Sequence, residues 1–114
     1  MKIGDRFNFS EIKDSVRHCY VQEVVNLLNT QRMKFWSWGS NNFVNLYDKG
    51  LKFTVRAQRH YGYVYIVVNG MDLYDVYLVS IKGNLKKKLE DIYFEDLVDT
   101  IDNEIEFIDG YYSR

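Results

Sequence analysis

From Ser10 to about Gln31 the apolar positions recur three and four residues apart, at Ile12, Val16, Cys19, Tyr20, Val24, Leu27 and Leu28. This spacing lays them along one stripe of a helix, with Lys13, Asp14, Arg17, Gln22 and Glu23 on the solvated side. Ser10 is a candidate N-cap, its hydroxyl placed to accept from the free amides of a first turn, so the pattern predicts a helix over residues 11–31. After residue 34 the period falls to two. "FWSW", "FVNLY", "LKFTVRAQR", "YGYVYIVVN" and "DLYDVYLVSI" are short runs rich in aromatic and β-branched residues, punctuated by "GSN", "DKG", "HYG" and "NGMD". In residues 51–59, Leu51, Phe53, Val55 and Ala57 alternate with Lys52, Thr54, Arg56 and Gln58, which predicts one face against a core and the other toward water. The next two runs are apolar or aromatic on both faces.

After "KGN", the run "LKKKLEDIYF" reads as a last strand or a connector. From Glu95, Leu97, Val98, Ile101, Ile105 and Ile108 return to helical spacing, opposite Glu95, Asp96, Asp99, Asp102, Asn103 and Glu106. The order predicts a single α+β domain over residues 1–114. It comprises an N-terminal helix, an antiparallel meander of four to five strands and an acidic C-terminal helix, with the helices on one sheet face. The second sheet face is then left with Lys52, Thr54, Arg56, Gln58 and tyrosines, more aromatic than solubility needs.

Composition narrows this further. Nineteen of the 114 residues are aromatic, against disorder, and the absence of proline argues against a stiff interdomain linker. The lone cysteine, Cys19, allows no intrachain disulfide and no cysteine-based zinc site. No apolar run approaches the roughly 18 residues of a membrane span, and the polar start is unlike a signal peptide, so a cytoplasmic protein with no membrane partner is expected. The net charge of −1 hides a polarity: residues 1–88 hold fourteen basic and seven acidic side chains, whereas residues 89–114 hold one and nine.

Candidate chemistry is sparse. His18 beside Cys19 points about 100° away from it on a helix, so the two form no nucleophile–base pair, and His60 in "RHYG" reads as an exposed turn residue. Asp99, Asp102 and Glu106 fall on successive helical turns but read as a solvated face rather than a metal site. No phosphate-binding glycine loop or nucleophile elbow occurs, so no enzyme, cofactor or metal is expected. Binding is the remaining chemistry. Arg56, Arg59, Lys86, Lys87 and Lys88, interleaved with Tyr63, Tyr65 and the pair Trp36 and Trp38, combine cations for phosphates with ring faces for bases, as single-stranded nucleic acid requires. The tryptophans read first as core packing at the sheet entry, and the lysine run as a strand edge.

The segments "WSWGSNNF", "LKFTVRAQRHYGYVYIVVNGMDLYDVYLVS" and "LEDIYFEDLVDTIDNEIE" together resemble small uncharacterised proteins encoded on phages and conjugative elements of gut bacteria. The resemblance implies an intracellular, accessory role and carries no activity or site residue. Two expectations follow. The first is a non-enzymatic protein-binding module, a homodimer or an accessory factor of a mobile element, using the aromatic sheet face or the acidic face of Glu95, Asp96, Asp99, Asp102 and Glu106. The alternative is a single-stranded nucleic-acid-binding protein using Arg56, Tyr63, Tyr65 and their neighbours on that same sheet face.

Overall fold

The computed structural model describes residues 2–12, 16–18, 21–30, 38–57 and 59–105. Among them, the chain forms a five-stranded antiparallel sheet and two α-helices, an α+β arrangement. The strands are β1 (Asn41–Asn45), β2 (Gly50–Arg56), β3 (Tyr61–Val68), β4 (Tyr74–Ser80) and β5 (Leu85–Ile92), in the order β1-β2-β3-β4-β5. The helices are α1 (Val21–Thr30) and α2 (Leu97–Ile105), the latter preceded by a 3₁₀ turn at Phe94–Asp96. The run "LKKKLEDI" is therefore strand β5. No helix of the described residues is long and apolar enough to cross a membrane.

Alternation along the strands sorts the side chains into two cores. Leu51, Phe53 and Val55 of β2, Val64 and Ile66 of β3 and Val76 and Leu78 of β4 share one buried cluster with Val24 and Leu28 of α1 and with Leu97, Val98, Ile101 and Ile105 of α2. The opposite parity, Val67 of β3, Tyr77 and Val79 of β4 and Leu85 of β5, makes a second cluster. Tyr63 and Tyr65 pack against it, as do Phe7, Phe9, Ile12 and Val16 from the start of the chain.

That second core corrects the expected first helix. Residues 16–18 are not helical: Arg17 forms a β-bridge with Val68, its N–H donating to the Val68 carbonyl at 2.8 Å. Asn8, not Ser10, caps a 3₁₀ turn at Phe9–Glu11, by accepting from Ser10 N at 3.0 Å. Residues 13–15, Cys19, Tyr20 and Gln31 lie outside the described residues. The opening segment is instead a strap across the second sheet face. At one end Gly4 N donates to Leu85 O (2.7 Å) and Phe7 N to Gly83 O (2.8 Å); at the other lies the Arg17–Val68 bridge. Ile12 and Val16 keep a three-to-four spacing because each must reach the sheet, and burial on the strands satisfies that spacing as well as a helix would.

Strand contacts are close where the sequence permits. Gly62 of β3 pairs with Ser80 of β4, and a Cβ there would collide with the Val79 carbonyl, so only glycine allows the two strands this approach. β5 carries two register breaks, and at one of them Asp91 has φ of 56°. Asp75, buried in β4, braces that break by accepting from Asp91 N at 3.0 Å and from Asn69 Nδ2 at 2.9 Å.

Candidate functional site

Trp38 is fully buried, stacked at 6.4 Å on Phe53, and its indole N–H donates to Asp102 Oδ1 at 3.0 Å. It is a core residue and offers no ring face to a ligand. Trp36 lies outside the described residues, as does Glu106. Asp102 was expected on the solvated acidic face, but it is 6% exposed. It follows Val98 by four residues and precedes Ile105 by three, so the helix turns it toward the core, where the indole supplies its donor. Glu95, Asp96 and Asp99 are exposed.

The basic residues do not converge on one surface. Lys88, opposite Tyr77, sits over that ring at 5.3 Å on the second sheet face and pairs with Glu90 at 3.3 Å. Burial works against its charge, but Tyr77 and Glu90 outweigh it and hold the ammonium pKa above its usual value. Lys87, opposite Leu78, reaches the other way to Glu104 of α2 at 2.8 Å, and Lys86 is the extra residue at the register break between them and Leu85. Lys86 and Lys87 line a cleft of about 210 Å³ with Arg59, His60, Leu78 and Glu104. His60, expected as an exposed turn residue, is 4% exposed there: its turn folds under β3, where Ala57 N donates to the His60 carbonyl and His60 Nε2 meets the Tyr63 carbonyl at 3.1 Å.

Tyr65 and Tyr63 also part company. Phe7 packs on Tyr65 with ring centroids 4.3 Å apart and Phe9 at 6.4 Å, so the strap covers the Tyr65 ring. Burial, together with the neighbouring Tyr63, pushes the Tyr65 phenol pKa up. Toward β1 the strap gives way to an open strip. Asn41, Thr54, Arg56, Tyr61, Tyr63 and Ile81 surround a concavity of about 430 Å³, with Asn42 at its rim. Arg56 lies 5.1 Å over the Tyr61 ring with Nη2 3.3 Å from its hydroxyl, and Lys52 lies 4.6 Å over Tyr63. Among the described residues no carboxylate comes within ion-pair distance of Arg56 or Lys52, and none lines the concavity.

Of the expected binding set, then, Arg56 and Tyr63 share this strip, Arg59, Lys86 and Lys87 share the His60 cleft, and Lys88 stands apart. Asn41, Asn42 and Ile81 escaped the sequence reading because only the strand register and the Asn42 turn, with φ of 56°, bring them to the strip. A groove of about 630 Å³ between α1 and the β1–β2 hairpin mixes His18, Glu23 and Asp48 with Val25, Phe43 and Leu51, a lining of no single chemistry. Compared with protein-family models, curated proteins and solved structures, the chain matches none.

Proposed function

We propose that the protein is a non-enzymatic interaction module that receives a protein partner on the open strip of the second sheet face. The observation that carries this reading is the grouping of Arg56, Tyr61 and Tyr63 around one concavity, edged by Ile81, which is 46% exposed. Arginine and tyrosine supply a disproportionate share of interface energy, because a rigid ring or a stacked guanidinium buries much surface at small entropic cost. In this reading both helices occupy the opposite sheet face, as their shared cluster with Phe53 and Ile66 supports, and the exposed Glu95 and Asp96 of the 3₁₀ turn, with Asp99 of α2, make an acidic surface away from the strip. A cytoplasmic accessory role on a mobile element rests on the sequence resemblance. The partner is a second copy of the chain or another protein, and a photo-crosslinking residue placed at Tyr61 tests this in cells. A covalent protein adduct that disappears with Arg56→Glu is expected; labelling of nucleic acid alone, or of nothing, overturns the reading.

One observation favours single-stranded nucleic acid on the same strip: Lys52 and Arg56 stack on tyrosines with no carboxylate partner among the described residues. Two cations would give a shallow salt dependence, with a log–log slope of roughly −1.4 for a single strand. Fluorescence anisotropy with a labelled oligonucleotide separates the readings. Binding with that slope, lost in Arg56→Ala, selects nucleic acid, and no binding at tens of micromolar in low salt removes it.

A further inference from the structure

We propose that Asn69 is a modification site, at which the side-chain amide is hydrolysed by way of the Gly70 backbone nitrogen, and that the fold restrains this reaction until the β3–β4 loop opens. This site lies apart from the tyrosine strip and does not depend on what that strip binds.

The sequence contains one Asn-Gly step, Asn69 followed by Gly70. With no Cβ on the second residue, its backbone nitrogen approaches the preceding side-chain carbonyl with least hindrance, so this is the step at which a succinimide ring closes most readily. Gly70 is exposed, its φ is not positive, and a Cβ added there would meet open space. The loop itself therefore does not require glycine.

Four hydrogen bonds hold the Asn69 side chain. Oδ1 accepts from Met71 N at 2.8 Å and from Leu73 N at 3.3 Å, while Nδ2 donates to Asp75 Oδ1 at 2.9 Å and to Asp91 Oδ1 at 2.8 Å. A carboxylate only accepts, which fixes the end of the amide that is nitrogen. Attack by Gly70 N requires the amide to turn away from the donors on one side and the acceptors on the other. The reaction thus waits on a local opening in which these bonds are broken.

In the opened loop Gly70 N gives its proton to hydroxide, and its lone pair forms a bond to Asn69 Cγ. The Cγ–Nδ2 bond breaks, and that nitrogen takes a proton from water and leaves as ammonia. Water then adds to one of the two ring carbonyls and cleaves its bond to the Gly70 nitrogen, which regains a proton. Position 69 becomes aspartate or isoaspartate. The net change is one water consumed, one amide converted to a carboxylate and one ammonium released. The product cannot restore the clamp. Asp75, nearly buried, and Asp91, at the β5 register break, lose the donor they share, and a third carboxylate faces them. Like charges at such range repel, so the modified loop closes less well.

The test keeps the whole chain at mildly alkaline pH, folded in buffer or unfolded in guanidinium chloride. After digestion, the peptide containing position 69 is followed by mass spectrometry, with its aspartate and isoaspartate forms separated by chromatography. Asn84, which precedes Leu85, is the internal reference. The unfolded chain should convert Asn69 faster than Asn84, and folding should slow conversion at Asn69 by about tenfold or more. Gly70→Ala should bring the unfolded rate at Asn69 down toward that of Asn84. In urea, Asn69→Asp should unfold at a lower concentration than Asn69→Ala, because only the first adds a carboxylate. Equal rates in the folded and unfolded chain overturn the proposal, as does unfolded conversion that Gly70→Ala leaves unchanged. Equal stability of the two Asn69 variants overturns the claim that the product keeps the loop from closing.

Discussion

A carboxylate withdrawn from water must find donors inside the protein, and at Asp102 the indole N–H of Trp38 is one of them, reaching it across 64 residues of sequence. Trp38→Phe keeps most of the ring in its place over Phe53 but takes that donor away. It should cost about 1–3 kcal/mol in urea unfolding. In the Asp102→Ala background the same substitution should cost clearly less, because the acceptor is gone; equal costs in both backgrounds would show that the bond contributes nothing. Residue-level reading of the sequence succeeded with Trp38 as packing and failed with its partner. The positions of Val98, Ile101 and Ile105 turn Asp102 inward, against what its charge alone suggests. His60 misled for a related reason: the turn residues "RHYG" announce a reversal of the chain without saying what the reversal is folded against.

At the scale of elements, the strands were readable because β2 to β4 alternate in step with a sheet that has a core on each side. The α1 and α2 stripes were readable for the same reason. The strap was not, since a peptide that drops Phe7, Phe9, Ile12 and Val16 onto neighbouring strands has no period of its own, and the last two positions imitated a helix. Its contribution can be measured. Phe7→Ala and Phe9→Ala should each cost roughly 1–2 kcal/mol, the share of a phenyl ring half withdrawn from water. Both should also lower the pKa of the Tyr65 phenol toward its ordinary value of 10.0, because burial by this segment is what raises it. Ultraviolet titration of the phenols reads this directly, and an unchanged Tyr65 would mean that the strands alone bury the ring.

For the molecule as a whole, the imidazole of His60 couples global stability to pH. Its folded pKa lies below the 6.5 of the unfolded chain, so between these two values the unfolded state binds more protons. Its stabilising effect is therefore complete above pH 6.5 and is lost as the pH falls through the lowered folded value. Thermal unfolding in chloride buffers should show a midpoint that declines through this window and a smaller decline in His60→Gln; parallel curves would refute the linkage. The candidate site was half legible at this scale: the positive balance before residue 89 was visible, but strand alternation sends Lys87 and Lys88 to opposite faces, and the register break between Leu85 and Lys87, which no run of letters reveals, leaves Lys86 as the extra residue there. The strap also constrains how the chain is made. Phe7 docks on Gly83 and Gly4 on Leu85, so the earliest residues bind to some of the last strands formed. During synthesis, at about 5–20 residues per second, Phe7 waits on the order of 4–15 s for β5 to be made. Until β3 and β4 have been made, the apolar side chains of the strap have no native surface to cover, which makes the nascent chain, rather than the finished fold, the stage at which a chaperone has most to shield.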